Sequence, residues 1–135
     1  LAKENSILNK VEKRVEFFRM DFLSSEPLID NYQAFDLIVS NPPYINTSDL
    51  SYLPKEVRQE PIIALDGGWD GLKFYREIIP RLSNYLRKSG LLALEIGFNH
   101  SQKIVRLLEQ ARKFQIIKIV KDYVGIERVI ISKYG

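Results

Sequence analysis

The sequence predicts an α/β domain built on a doubly wound, mostly parallel sheet that closes with an antiparallel C-terminal strand pair. Three observations carry this prediction. Helix-like and strand-like stretches alternate along the 135 residues, as they do when helices are laid on a parallel sheet. Two apolar runs, FDLIVS at 35–40 and LLALEIG at 91–97, are nearly continuous rather than alternating, which suits strands covered on both faces. The last two runs, FQIIKIV and IERVIIS, are separated only by a short turn around Gly125, so they are expected to pair antiparallel.

Taken in order, residues 1–10 read as the last turns of a helix, with Leu1, Ala2, Asn5 and Leu8 at helical spacing and no N-cap ahead of them. Val15, Phe17 and their neighbours predict a strand ending near Asp21, and the polar, proline-containing stretch 24–34 a loop. FDLIVS is the next strand. It stops at Asn41-Pro42-Pro43-Tyr44, because two prolines cannot continue a ladder. Residues 45–70, with Pro54, Pro61, Gly67 and Gly68, form a long irregular segment of the kind that is usually functional. A helix is predicted over 70–88, with Phe74, Tyr75, Ile78, Ile79, Leu82, Tyr85 and Leu86 on one face. Asp70 serves as its N-cap, Gly90 as its C-terminal stop, and Pro80 as a kink. The strand at 91–97 follows, then a helix over 100–112 with Ile104, Leu107, Leu108 and Ala111 inward, then the closing pair. No internal repeat or low-complexity segment interrupts this order.

Composition narrows the function classes. The chain is 45% hydrophobic and 27% charged, an ordinary balance for a soluble globular domain. Its net charge of +3 is spread over what read as solvated helix faces. No dense Lys/Arg block marks a nucleic-acid arm. Without cysteine and with one histidine, disulfides and thiolate metal sites are excluded and a zinc site is not expected. No apolar run approaches the roughly 18 residues of a membrane span, and LAKENSILNK lacks the apolar stretch of a signal peptide. The expectation is a soluble, cytoplasmic protein with no membrane partner.

The chemistry concentrates at Asn41, Pro42, Pro43 and Tyr44, directly after a buried strand. In an open α/β sheet, ligands bind outside the carboxyl ends of the strands. An amide or aromatic-amine nitrogen has a delocalised lone pair and is a poor nucleophile. A site assists it by accepting hydrogen bonds from its two N–H groups. Asn41 offers a side-chain carbonyl oxygen, and Pro42 a backbone carbonyl with no N–H of its own to compete. Two such acceptors fix the NH₂ plane and stabilise the positive charge that grows on nitrogen during transfer. Tyr44 adds an aromatic face for a flat substrate and a quadrupole that favours that charge. No strong base is needed, since the proton becomes acidic once the nitrogen is alkylated. The plainer reading of NPPY is a rigid turn that ends a strand; its place after FDLIVS favours the functional one.

FDLIVSNPPYI resembles the amino-methyltransferases of the HemK type, the release-factor glutamine methyltransferases. The resemblance continues through EPIIALDGGWDGLKFYREII at 60–79, LLALEIG, the closing Asp122, Gly125 and Arg128-Val129, and RMDFL at 19–23. It implies a Rossmann-like methyltransferase fold and N5-methylation of a protein glutamine, in the Gly-Gly-Gln loop of peptide chain release factors, with S-adenosylmethionine as cofactor. It implies that Asn41, Pro42, Pro43 and Tyr44, with Glu60, hold the glutamine. Phe22 with Asp21 would border the cofactor's adenine, and Asn41 would lie close to both ligands. Two positions depart from the pattern: Gln59 stands where an aromatic is usual before Glu-Pro, and His100 where a glutamine is usual after the Glu-x-Gly strand.

Members of this family begin the domain with a strand, a glycine-rich loop, a helix and a second strand, and no such segments are present in these residues. Gly67-Gly68-x-x-Gly71 reads as a turn before the helix, not as a substitute. The expectation is therefore a partial methyltransferase domain over 1–135, the NPPY half. Its strand at 14–18 should lack a partner, and its strand at 35–40 should present an open apolar edge that invites self-association. Alone it should bind the cofactor weakly or not at all. Outside the motifs, His100 reads as a solvated or capping residue, and Trp69 and Tyr75 read as packing. Glu95 either lines the site or caps a neighbour. The alternatives are a ribosomal-protein glutamine methyltransferase, an N6-adenine methyltransferase, which also uses NPPY, and an inactive remnant. A nucleic-acid substrate would call for a target-recognition region and a longer basic face.

Overall fold

The computed structural model describes residues 1–24 and 35–135. The loop expected over 24–34 therefore lies, beyond Ser24, outside the described residues. The chain divides into two compact units, Leu1–Asp30 and Asn31–Gly135.

In the first unit, helix α1 (Ala2–Leu8) is followed by a single 3₁₀ turn at Glu12–Arg14. Ser6 is its buried residue, its hydroxyl donating to the Lys3 carbonyl at 2.8 Å. The strand predicted from Val15 and Phe17 is not formed. Val15 has extended dihedrals (φ −127°, ψ 130°), but no ladder includes it among the described residues. Period-2 apolarity sets the backbone region and cannot supply a partner for the hydrogen bonds.

The second unit holds a four-stranded sheet in the order β1-β2-β4-β3, with β1 at Phe35–Ser40, β2 at Leu86–Glu95, β3 at Phe114–Lys121 and β4 at Glu127–Tyr134. β1 and β2 are parallel, and β4 runs antiparallel to both β2 and β3. Three strands thus share one direction, and the predicted closing pair is present, with β4 inserted between β2 and β3. Helices α2 (Lys73–Leu82) and α3 (Ser101–Gln110) make the crossovers. They touch each other, and α3 packs on β3 and β4.

Register shows which face is covered. Ile38 pairs with Leu92 and Leu92 with Ser132, while Ser40 pairs with Leu94 and Leu94 with Ile130. Leu92, Leu94, Ile130 and Ser132 are fully buried, together with Tyr75, Ile104 and Leu108 from the helices. On the opposite face, Leu37 is 52% and Val39 70% exposed. The expectation that β1 is covered on both faces does not hold among the described residues.

The helix predicted over 70–88 is shorter at both ends. It buries Tyr75, Ile78, Ile79 and Leu82 as expected. Asp70 is not its N-cap: it stands two residues ahead of Leu72, whose amide its carboxylate accepts at 3.2 Å, and it pairs with Arg76. Pro80 lies in the final turn, and the chain then tightens through Asn84 N–H to Arg81 O (2.9 Å) and Tyr85 N–H to Leu82 O (3.0 Å). Tyr85 O is taken by the Phe35 amide at 2.6 Å, so Tyr85 and Leu86 leave the helix and open the sheet. Gly90 is a strand residue, not a helix stop. Between the pairs Phe35–Leu86 and Leu37–Leu91, β1 advances two residues and β2 five, so three extra residues bulge from β2. Arg87, Lys88 and Ser89 are exposed there, with Ser89 at φ +67°. Among the described residues no helix is long and apolar enough to cross a membrane.

Candidate functional site

Asn41, Pro42, Pro43 and Tyr44 leave β1 at its carboxyl end, beside the carboxyl end of the parallel strand β2. Asn41 is exposed, Pro42 buried, and Pro43 and Tyr44 half-buried. The segment is fastened to the irregular stretch that follows. Ile45 N–H donates to Leu65 O (3.0 Å), Gly67 N–H to Ile45 O (2.7 Å) and Thr47 N–H to Gly68 O (3.0 Å). Asp66 completes the tie by accepting from the Thr47 hydroxyl at 2.7 Å and the Gly68 amide at 2.9 Å. Those two bonds hold its carboxyl below the usual carboxylate range.

The glycines of this stretch make room for the site and do not form a ligand cradle. A Cβ on Gly67 would lie 2.7 Å from Tyr44 Cα, and one on Gly71 would lie 2.4 Å from Tyr44 O and 2.5 Å from His100 Cε1. The space is filled by the NPPY segment, and Gly71 also has φ +70°, a region that side chains resist. The turn reading of the glycine cluster is correct.

Tyr44 is held at its far end too. Its hydroxyl donates to Glu95 Oε1 at 3.1 Å. Burial first, then the Glu95 charge, push the phenol pKa up, so Tyr44 stays protonated at neutral pH and does not act as a base. Tyr75, fully buried in α2, donates to the Glu95 carbonyl at 2.7 Å, and burial raises its pKa as well. Glu95, left undecided by sequence, thus caps Tyr44 beside the site. Arg128 Nε donates to Asp122 Oδ2 at 3.0 Å, while the other Asp122 oxygen accepts the Val124 and Ile126 amides. The D-x-x-G-x-x-R-V element is therefore one hydrogen-bonded turn. A cavity of about 490 Å³ lies beside Tyr44, lined also by Asn46, Gly97, His100, Lys103 and Arg128.

Two expectations fail here. His100 is not solvated, and although it stands at the N-cap position of α3 its ring caps nothing: it is 8% exposed, and Nδ1 has no hydrogen-bond partner among the described residues. It packs where Gly71 and Gly97 leave space, and only their missing Cβ atoms permit this. Trp69 is not packing: it is 81% exposed, with the Arg76 guanidinium 5.8 Å from its ring centroid. Tyr75 is core, as read.

Of the remaining expected site residues, Glu60 is exposed and contributes to the raised Tyr44 pKa, so its charge is felt at the site. Asp21 and Phe22 belong to the first unit, where Asp21 Oδ1 accepts the Leu23 amide at 2.9 Å and Phe22 is half-buried. No group of three His, Cys, Asp or Glu among the described residues could hold a metal.

No protein-family model matches the sequence. The chain is 45% identical over 134 residues to the release factor glutamine methyltransferase of Fusobacterium nucleatum, covering 98% of this chain and 36% of that protein. It is 42% identical over 131 residues to the one from Thermodesulfovibrio yellowstonii, covering 96% of this chain and 45% of that protein. The chain thus spans between about a third and just under half of the length of these relatives, and the resemblance read from its motifs runs through nearly all of its own. Among solved structures, TrmN from Thermus thermophilus superposes with a TM-score of 0.59 at 18% identity, over 99% of this chain and 32% of that one. That likeness bears on the fold alone.

Proposed function

We propose that this chain, similar over nearly its whole length to release factor glutamine methyltransferases, is the part of such an enzyme that receives the side-chain amide, methylating N5 of the glutamine in a Gly-Gly-Gln loop. The observation that carries the reading is the position of NPPY: an exposed Asn41 at the carboxyl end of β1, followed by a Tyr44 fixed through Glu95. S-adenosylmethionine, when bound, supplies an electrophilic methyl group on a sulfonium. The residues present fit it in part. Asn41 is accessible, and Asp21 and Phe22 are its proposed adenine-side contacts. The glycines at 67–71 are filled by backbone and offer no cradle for its charged end. We assign that task to segments found in the remaining length of the relatives, so the 135 residues alone should bind the donor weakly.

In this mechanism Asn41 Oδ1 and Pro42 O accept the two amide N–H groups and turn the nitrogen's open face outward. Pro43 sets the backbone and Tyr44 lies along the amide plane, while Glu60 borders the approach of the polypeptide. Positive charge developing on nitrogen is met by the two carbonyl dipoles and the ring face. The proton then leaves to water. The protein works in the cytoplasm on a protein substrate, and the β1 edge of the sheet is where strands of a further segment or a second copy would add.

The test is methyl transfer to a release-factor domain, with the modified residue located by mass spectrometry. The polypeptide is assayed both as these 135 residues and at the full length of its relatives. Methylation of the Gly-Gly-Gln glutamine is expected only at full length. Methylation of adenine in DNA instead would replace this reading with the N6-adenine one. Asn41→Ala should lower kcat by roughly 10² to 10³, the range for one preorganised contact to developing charge, and change donor affinity less. Full activity in that variant would remove Asn41 from the mechanism.

A further inference from the structure

The carboxyl end of β2 carries a side chain that the proposed reaction does not itself use. Glu95 accepts the Tyr44 hydroxyl on Oε1 at 3.1 Å and the Tyr75 hydroxyl on its backbone oxygen at 2.7 Å. Tyr75 is fully buried, so the Glu95 backbone is locked into the core between α2 and β2. Its carboxylate is only half-buried and reaches from that fixed base to Tyr44.

Tyr44 meets three kinds of restraint. Gly67 and Gly71 lie against its backbone, and a Cβ on Gly97 would come within 3.0 Å of its ring carbon Cδ2. These contacts limit where the ring can go, but van der Waals contact with a glycine has no preferred direction. The bond to Glu95 does, because a hydroxyl donating to a carboxylate is both directional and charge-assisted. A swing of the whole ring about χ1 carries the hydroxyl away, breaks that bond and leaves Glu95 to find water instead, whereas a turn of the ring about its own axis leaves the hydroxyl oxygen in place.

We propose that Glu95 is the positioning residue for Tyr44: its carboxylate, anchored through Tyr75, fixes the hydroxyl end of the ring and so the place of the aromatic wall of the substrate site. The geometric part stands on the two hydrogen bonds. Its consequence for catalysis rests on the methyl-transfer reading above. The raised Tyr44 pKa, to which the Glu95 charge contributes after burial, agrees with the pairing.

The experiment compares Glu95→Gln, which keeps an acceptor oxygen and removes the charge, with Glu95→Ala, which removes both. Ring-labelled tyrosine NMR, with Tyr44 identified by its loss in Tyr44→Phe, reads the ring directly. In full-length protein, Glu95→Ala should shift the Tyr44 Cζ resonance and let the phenol ionise at lower pH. It should lower kcat/KM for the glutamine substrate by about tenfold to a hundredfold, the scale of a misplaced positioning group, with donor affinity unchanged. Glu95→Gln should retain most activity while also lowering the ionisation pH. An unmoved Tyr44 resonance in Glu95→Ala would overturn the pairing. A moved resonance with wild-type kcat/KM would overturn the positioning role. A wild-type protein inactive on every glutamine substrate would count against the methyl-transfer reading, while the resonance would still decide the pairing.

Discussion

The two faces of the sheet draw on similar residues and meet different surroundings. Along β1 and β2, Ile38, Leu92 and Leu94 point to one side, and Leu37, Val39, Leu91 and Ala93 to the other. In the first set, Leu92 and Leu94 are completely buried. In the second, Leu37 and Val39 keep half or more of their surface in solvent. Apolar content is nearly equal on the two sides. It records what a strand can bury, and the neighbouring elements determine what it does bury.

The largest expected effect tests this difference by truncation. Leu94→Ala removes a fully buried side chain and should cost about 2–5 kcal/mol of unfolding free energy. Val39→Ala, on the open face, should cost about 0.5 kcal/mol or less. Urea unfolding of the two variants side by side measures both. Equal losses would mean that Val39 is covered in solution, by association through the open face.

A smaller effect separates two glycines that share a left-handed backbone. Gly71 (φ +70°) is enclosed by Tyr44 O and the His100 ring, whereas nothing lies within 4 Å of a Cβ on Gly125 (φ +86°). Gly125→Ala should cost only the conformational strain, about 1–2 kcal/mol. Gly71→Ala adds a steric clash and should exceed it by about 1 kcal/mol or more, again read from urea midpoints. Smaller still is Ser132→Ala. The Ser132 hydroxyl is fully buried on the covered face without a hydrogen-bond partner among the described residues. Removing it should raise stability by about 1 kcal/mol, visible as a higher unfolding midpoint.

These contrasts also show what sequence could and could not convey. FDLIVS, LLALEIG and the closing pair were legible because apolar runs bounded by prolines, glycines and turns leave few alternatives. NPPY was legible as the end of a strand, because two prolines cannot continue a ladder; its role as a site belongs to the proposed function. Four features were not legible. The segment around Val15 has strand periodicity and no partner, and pairing is not a local property. The start of β2 was hidden because Tyr85 and Leu86 continue the helical period of α2, and only the Phe35 amide bond to Tyr85 O reveals the switch. The burial of His100 depends on Gly71 and Gly97, which stand 29 and 3 residues away and are brought to it by the fold. The Tyr44–Glu95 bond, across 51 residues, has the same character: both residue types were noticed, and their distance was not available.

The smallest expected effect concerns that same histidine. Burial, then the nearby Lys103 charge, hold the His100 pKa below its ordinary value, and Asp70 opposes them. Tyr44, Asp49 and Arg128 border the same cavity. With its folded pKa depressed, the ring binds a proton less readily in the folded state than in the unfolded one, whose value is about 6.5. The linkage sign follows: no penalty exists above that pH, and stability falls as pH drops below it, because the unfolded state gains the proton first. His100 is the single histidine, so no other side chain with an ordinary pKa titrates in the interval from about 7.5 down to 5.5. Urea midpoints should therefore decline gently across that interval in the wild-type protein and stay nearly flat in His100→Gln. An equal decline in both proteins would show that the ring is hydrated in solution and that the fit between Gly71 and Gly97 is looser than the distances indicate.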